Sequence, residues 1–199
     1  MRNLFWLVAL SALMYSCGSA GPKENLAEEP AMSEMERAEY LEMGSQIAQR
    51  SFKALSGKLK AEISENGMEG AIAKCDLYAA STIDSIQKAF GVSIKRTALR
   101  TRNQENKPTD EEKHLLKLYE RADYAGEELK PMLLIPDSST VKFFSAIKMQ
   151  ALCLNCHGEP GTTMSEEIYA KIIEKYPTDK AIGYKLGEFR GLWSIEFKR

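Results

Sequence analysis

The chain has 199 residues, of which 44% are hydrophobic and 28% are charged, so it is long enough for one domain with its own core. Its 27 basic residues nearly balance its 28 acidic ones, which excludes the strongly basic surface typical of nucleic-acid-binding proteins. Its four cysteines and two histidines restrict metal and redox sites to a few positions.

Residues 1–16 have the pattern of an export signal. A single cation, Arg2, precedes an apolar run over 4–14, which has the length of a signal-peptide core and is too short to span a bilayer. Ser16 and Cys17 then resemble the lipobox of bacterial lipoproteins, in which the cysteine carries lipid and becomes the mature N-terminus. An ordinary secreted protein cleaved nearby is the alternative. We expect a lipoprotein signal peptide, with Cys17 anchoring an exported, periplasm-facing protein to the membrane.

Residues 17–32 are predicted to be a flexible tether. They are mostly small or polar and include two prolines, Pro22 and Pro30, a composition that does not favour a folded element. The tether would hold the following domain away from the membrane surface. We expect that domain to be a single one, over 33–199.

Two amphipathic helices are predicted at the start of this domain. Ser33 and Glu36 form a capping box, after which apolar residues recur at helical spacing until Gly67 stops the pattern. A second apolar stripe then begins at Ile72 and ends before Gly91. Cys75 lies on this second stripe.

The later elements predict an α+β domain. The segment after Gly91 begins as a strand, and a polar loop follows it. Thr109 and Glu112 form another capping box, which opens a helix to about Leu129. Three elements come after it: a β-hairpin over 132–149, a short helix over 165–176 and a closing strand over 192–198. Helices early in the chain and mostly antiparallel strands later favour helices packed on one sheet.

The spacing C-x-x-C-H at Cys153, Cys156 and His157 is the strongest functional signal. Each thiol can form a thioether with a vinyl group of haem, and the histidine then lies where its imidazole can bind the iron. A zinc site would need a second ligand pair, and a thioredoxin-like site would need a strand before the pair and a helix after it. This motif leads instead into a loop over 158–161. We therefore expect one covalently attached haem c.

The residues alone leave the second axial ligand open. Cys75 has no disulfide partner once the other three cysteines are assigned to lipid and thioethers, so it is either a small buried apolar residue or a thiolate ligand opposite His157. A thiolate would lower the reduction potential, because it donates electron density to the iron. His114, at the exposed start of a helix, is a weaker candidate. The other candidates are methionines, which more often fill cores: Met68, Met132, Met149 and Met164.

Four stretches in this order closely resemble the bacterial Tll-type haem c family: AIAKCDLYA, RTALRTRNQENKP, CLNCHGEP and YPTDKAIGYKLGEFRG. The resemblance runs from about Ile47 to the C-terminus. It implies a PAS-like domain that holds a haem on an antiparallel sheet, with the iron bound by His157 and Cys75. Gln104 stands where members of that family tend to have a proline.

Further haem contacts are expected in the same stretches. A guanidinium fork matches a carboxylate, so arginines are candidates to pair with the haem propionates. For each arginine the alternative is a solvated charge at a strand edge. The candidates are Arg96, Arg100 and Arg102, with Asn106 helping to order their loop, and then Tyr184 and Arg190 after the haem motif.

Two functions are compatible with a haem whose iron is bound by the protein on both sides. In a sensor of redox state or of a diatomic gas, Cys75 leaves the iron and the sheet and long helix respond. A membrane-tethered single-haem electron-transfer protein needs only a stable ligand set and an exposed haem edge. The PAS resemblance favours sensing, and an enzyme such as an oxygenase or peroxidase is not expected. The sequence ends directly after its last predicted strand, so we expect a separate signalling or redox partner.

Overall fold

The computed structural model describes residues 32–199, so the predicted signal peptide, Cys17 and nearly all of the tether lie outside the described residues. The described part has an α+β fold, as predicted, with a long N-terminal helical element and one antiparallel sheet. The helices are α1 (Glu34–Phe90), α2 (Asp110–Tyr124), α3 (Ala151–His157) and α4 (Glu166–Lys175). The strands are β1 (Ser93–Thr97), β2 (Met132–Asp137), β3 (Thr140–Lys148) and β4 (Phe189–Lys198).

The sheet has the strand order β1-β4-β3-β2, and each neighbouring pair is antiparallel. Ile94 of β1 lies opposite Ile195 of β4, and Arg96 lies opposite Trp193. Opposed residues of an antiparallel pair point to the same face, so these four share one face of the sheet. That face packs against Ile47 and other buried residues of α1, while α2 packs on the opposite face.

The long element α1 is a helical hairpin. Gly67 has φ 69°, which interrupts the helix where the sequence predicted a stop and which glycine adopts without steric cost. We call residues 34–66 the first arm and residues 68–90 the second arm. The arms run antiparallel, as three cross-arm contacts show: Arg50 over the ring of Phe90, Lys58 on Ser81 and Tyr78 on Glu62.

Other boundaries differ from the predicted ones. Helix α2 ends at Tyr124 and not near Leu129, because the chain reverses at Gly126, which has φ 73°. Strand β4 begins earlier than predicted, at Phe189. A short 3-10 turn, Gln104–Asn106, lies within the predicted polar loop. Across the part of the chain that the structure describes, no helix combines the length and apolar character needed to cross a membrane.

Candidate functional site

Helix α3 carries both cysteines of the C-x-x-C-H motif. The sequence did not predict a helix here, and the residue before α3, Gln150, makes no side-chain hydrogen bond that would cap it. The helix places Cys153 and Cys156 three residues apart, and therefore on one side. Gly158 follows directly, and a Cβ atom there would collide with the Thr163 hydroxyl and with the Leu154 carbonyl. This glycine therefore lets the chain fold back tightly at the end of the motif.

The His157 side chain is held in one tautomer. Its Nδ1 lies 2.7 Å from the carbonyl oxygen of Ala181. A carbonyl can only accept, so Nδ1 carries the proton, and the other ring nitrogen of a neutral imidazole has a free lone pair. Burial, together with the charges of Arg102 and Arg190, holds the pKa of His157 well below its usual value. The imidazole is therefore neutral at neutral pH and has one nitrogen, Nε2, available for a metal.

The segment 181–184 runs beside the end of α3. The amide of Tyr184 donates to the His157 carbonyl at 3.0 Å, and the amide of Gly183 donates to the Gly158 carbonyl at 2.9 Å. Tyr184 is buried, and its ring lies edge-on to the imidazole with 6.4 Å between centroids. These contacts fix the histidine against a rigid segment.

Cys75, on the second arm of α1, is exposed, which contradicts the alternative in which it is a small buried apolar residue. The second arm packs on α4 at Ile72 and on the sheet at Ile83 and Ile86. Cys75 lies between these two contacts along the arm, where neither α4 nor the sheet covers it. The periodicity of the sequence predicts an apolar stripe but does not show which part of it another element covers. Cys156 packs against the same cluster as Ile72, which brings the motif next to the helix turn that carries Cys75.

Electrostatic interactions also connect Cys75 with the motif. Burial raises the pKa of the Cys156 thiol to about 11; the Arg102 charge opposes this shift, and the charges of Cys75 and Cys153 add to it. Burial lowers the pKa of Arg96, and the Cys75 charge acts in the opposite direction. Three thiols and an arginine from α1, α3 and β1 therefore lie within electrostatic reach of one another.

Two of the predicted arginines are engaged with protein groups. Arg100 donates to the Ile182 carbonyl and to the Glu188 carboxylate, and its guanidinium stacks 3.4 Å from the centroid of the Tyr184 ring. Arg102 forms a salt bridge with Asp179 at 2.9 Å. These two side chains therefore brace the segment around the motif.

Arg96 and Arg190 have no carboxylate partner within the described residues. The guanidinium of Arg96 lies 6.0 Å from the ring centroid of Trp193. That of Arg190 lies 5.1 Å from the ring centroid of Tyr184 and donates one long hydrogen bond, 3.4 Å, to the Tyr184 hydroxyl. Burial lowers the pKa of both guanidinium groups, although each side chain keeps part of its surface accessible. Uncompensated cations in such a position favour an anionic ligand.

Comparison with known proteins identifies the family. The model of the family described as Tll0287-like matches residues 25–197. The chain belongs to the Tll0287-like family. Its structure is similar to the crystal structure of the cyanobacterial heme-protein Tll0287, with a TM-score of 0.57 and 25% sequence identity over 84% of this chain and 98% of that one. No curated protein matches the chain. The family predicted from the four sequence stretches is thus confirmed.

Four other residues predicted as haem contacts or iron ligands lie away from Cys75 and the C-x-x-C-H motif of this Tll0287-like chain. The Asn106 carbonyl accepts from the Thr97 hydroxyl at 3.1 Å, so Asn106 is joined to β1. His114 is exposed on α2, across the sheet from Cys75. Met132 packs in the α2 cluster, and Met68 is half-buried near the hairpin turn.

Two methionines lie beside the motif. Met149 is buried in a cluster with Cys153, and Met164 is buried in the cluster with Cys156. Both fill the core there, which is the role expected of methionine. Asp179, which no sequence motif singled out, has its side chain completely buried against Arg102. Its position within YPTDKAIGYKLGEFRG, one of the four family-like stretches, was the available signal.

Proposed function

We propose that this protein carries one haem c, attached through thioethers to Cys153 and Cys156, with His157 and Cys75 as the axial ligands. Membership of the Tll0287-like family, and the similarity to a solved member described as a heme-protein, support the cofactor. The observation that carries the proposal is the His157 tautomer. Its Nδ1 donates to Ala181, so Nε2 is free for iron at the end of the helix that carries both thiols.

The rest of the donor set fits a haem. The thiols of α3 are half-buried, and the Cys75 thiol is exposed on the neighbouring arm. Arg96 and Arg190 supply positive charge that no carboxylate of the described residues neutralises, which suits two propionates. The Cys153, Cys156, His157, Arg96 and Arg190 side chains are all only partly buried, so a bound group could contact them.

A sensor of redox state or of a diatomic gas is the function we favour. When bound, the haem would supply one-electron chemistry and, if a ligand leaves, a position for a gas. Cys75 belongs to an arm that Lys175 of α4 ties down through Asp76 and the neighbouring Ala73 carbonyl. Cys75 would give this arm a second attachment, to the haem, so the hairpin is the element that would respond to a change at that attachment.

Electron transfer is the second candidate, and the partial accessibility of the motif residues favours it. Cys156, His157 and both uncompensated arginines keep accessible surface, so an edge of a group bound there would lie near solvent. A carrier needs only this access and a ligand set that does not change. We propose neither function as that of an enzyme, because His157 and Cys75 together would leave the iron no place for a substrate.

We also propose that the protein is exported and anchored by lipid on Cys17, so that its partner is a protein facing the same compartment. The support is the sequence pattern of residues 1–17. Export agrees with the cofactor, because haem c is attached outside the bacterial cytoplasm.

Covalent attachment is tested on the full chain, produced together with a haem c maturation system. After unfolding in acid and organic solvent, haem should remain with the wild-type polypeptide and with Cys75→Ser. It should be lost from the double variant of Cys153→Ser and Cys156→Ser. A wild-type chain without haem, or a double variant that keeps it covalently, would refute the proposal.

The two functions are separated by adding carbon monoxide to the ferrous wild-type protein. A sensor with a labile Cys75 ligand should bind the gas, with a change in the absorption spectrum. A carrier should keep both ligands and give no change. Cys75→Ser provides the positive control, because its iron has lost the proposed ligand.

A further inference from the structure

Arg102 and Asp179 form a buried ion pair directly behind the haem motif. The side chains are 12% and 0% exposed. Nε and Nη2 of Arg102 both reach one carboxylate oxygen of Asp179, at 3.1 and 2.9 Å. The other oxygen accepts from the Ala181 amide at 2.8 Å. The pair is therefore held rigidly against the segment that positions His157.

The guanidinium of Arg102 also reaches two backbone carbonyls. Its Nη2 donates to the carbonyl of Cys156 at 2.5 Å and to that of Ala181 at 3.3 Å. The first belongs to the last turn of α3, where carbonyls lack partners within the helix. The second is the carbonyl that accepts the Nδ1 proton of His157. One side chain thus contacts both the end of the motif helix and the hydrogen-bond partner of the histidine.

The shared carbonyl links Arg102 to the electronic state of the imidazole. A second donor on the Ala181 oxygen competes with the Nδ1–H group for its lone pairs, so the imidazole gains less anionic character. A less basic imidazole and a nearby positive charge both favour the reduced iron. The Asp179 charge opposes the second effect.

We propose that Arg102, held by Asp179, is a positioning residue that orients His157 and raises the reduction potential of the iron. This inference rests on the proposed function. It replaces the propionate contact predicted for Arg102, because the Nε and Nη2 donors of this side chain are bonded to protein groups.

The test compares Arg102→Gln with Arg100→Gln in the full-length haem-loaded protein. Both variants remove one positive charge. Arg100 donates to the carbonyl of Ile182, which is next to Ala181 and is not used by His157. Arg102→Gln should shift the equilibrium toward ferric iron at least tenfold more than Arg100→Gln does, which is about 59 mV for one electron. The Nδ1 proton resonance of His157 in the ferrous protein should move further in Arg102→Gln than in Arg100→Gln, because Arg100 contacts the Tyr184 ring and not the Ala181 carbonyl.

Asp179→Asn tests the direction of the shift in reduction potential independently. It leaves the Arg102 charge uncompensated, so the potential should rise, whereas Arg102→Gln lowers it. A general loosening of the fold would shift both in one direction. Equal shifts in Arg102→Gln and Arg100→Gln, or shifts of the same sign in Arg102→Gln and Asp179→Asn, would overturn the inference.

Two further outcomes are distinguishable. If Arg102→Gln does not fold, two other variants decide. The first is Asp179→Asn, through the direction of its potential shift. The second is Arg102→Lys, which keeps the positive charge but lacks the forked donors of a guanidinium group. Arg102→Lys should move the Nδ1 resonance with a smaller change in potential, and an unmoved resonance would overturn the inference. A wild-type chain that takes up no haem overturns the proposed function itself, and this is seen before any variant is compared.

Discussion

Lys175 ties the arm that carries Cys75 to α4, and its removal should measurably destabilise the fold. The ammonium group donates to the carbonyls of Ile72 and Ala73, at 3.1 and 2.6 Å, and to the Asp76 carboxylate at 2.8 Å. A hydrogen bond to a charged group is worth about 1.5–3 kcal/mol when it is well buried. Here the side chains of Lys175 and Asp76 are 27% and 38% exposed, so water screens much of this interaction.

We therefore expect Lys175→Met to lower the free energy of unfolding by about 1–2 kcal/mol. In a protein of this size, that corresponds to a fall of about 2–8 °C in Tm. The matched control is Lys171→Met, one turn earlier on α4. Among the residues 32–199, the Lys171 ammonium group pairs with the side chain of Glu69 alone, which is 68% exposed, so the control should change stability by less than about 0.5 kcal/mol. Urea unfolding of the wild type and both variants measures the difference.

The pH dependence of this difference has a defined sign. Burial alone would raise the pKa of Asp76, but the hydrogen bond and charge of Lys175, together with the backbone amides of Leu77 and Asp76, outweigh it and hold the pKa below its usual value. A carboxyl whose pKa is lowered by folding contributes stability above its unfolded pKa of about 3.9, and this contribution is lost as the pH falls. The gap between wild type and Lys175→Met should therefore narrow below about pH 4. Equal effects of the two lysine variants, or a gap that widens in acid, would refute this account.

Two other substitutions test packing and charge elsewhere. Gly158→Ala should lower the free energy of unfolding in urea by about 1–3 kcal/mol, because the added methyl group collides with Thr163 and Leu154. Gly57→Ala is the control, since a methyl group there meets nothing within 4 Å and should cost no stability. Equal losses in the two variants would contradict this prediction. Burial alone would raise the pKa of Glu112, but Lys95 and the Thr109 amide hold it below its usual value. Wild type should therefore lose its advantage over Glu112→Gln as the pH falls below about 4.3, and an advantage that grows in acid would contradict this.

Local sequence rules were sufficient for most of the fold. The capping boxes at Ser33 and Thr109 depend on residues three positions apart, and both are present. Gly67 ends the first arm where the apolar pattern stops. The seven-residue helix α3 escaped prediction because it has no side-chain cap and is too short to show a period. Its stability comes from the segment packed beside it, which local sequence does not reveal.

The candidate site was predictable only where its residues are neighbours in sequence. Cys153, Cys156 and His157 form a local motif, so their association could be anticipated. The salt bridge between Arg102 and Asp179 joins residues 77 positions apart, and no spacing rule connects them. The exposure of Cys75 also depends on tertiary packing, because α4 and the sheet cover the same stripe on either side of it. Propensity and periodicity describe one element at a time, whereas these features arise between elements.

The central claim is that Cys75 and His157 bind the iron of a covalently attached haem. The most direct measurement is the electron paramagnetic resonance spectrum of the ferric full-length protein, recorded for wild type and for Cys75→Ser. The account predicts a low-spin ferric signal with a thiolate signature in wild type, and the loss of that signature in Cys75→Ser, with haem still attached. An unchanged spectrum in Cys75→Ser would contradict the account, and the second ligand would then have to be another residue, such as Met149 or Met164 beside the motif.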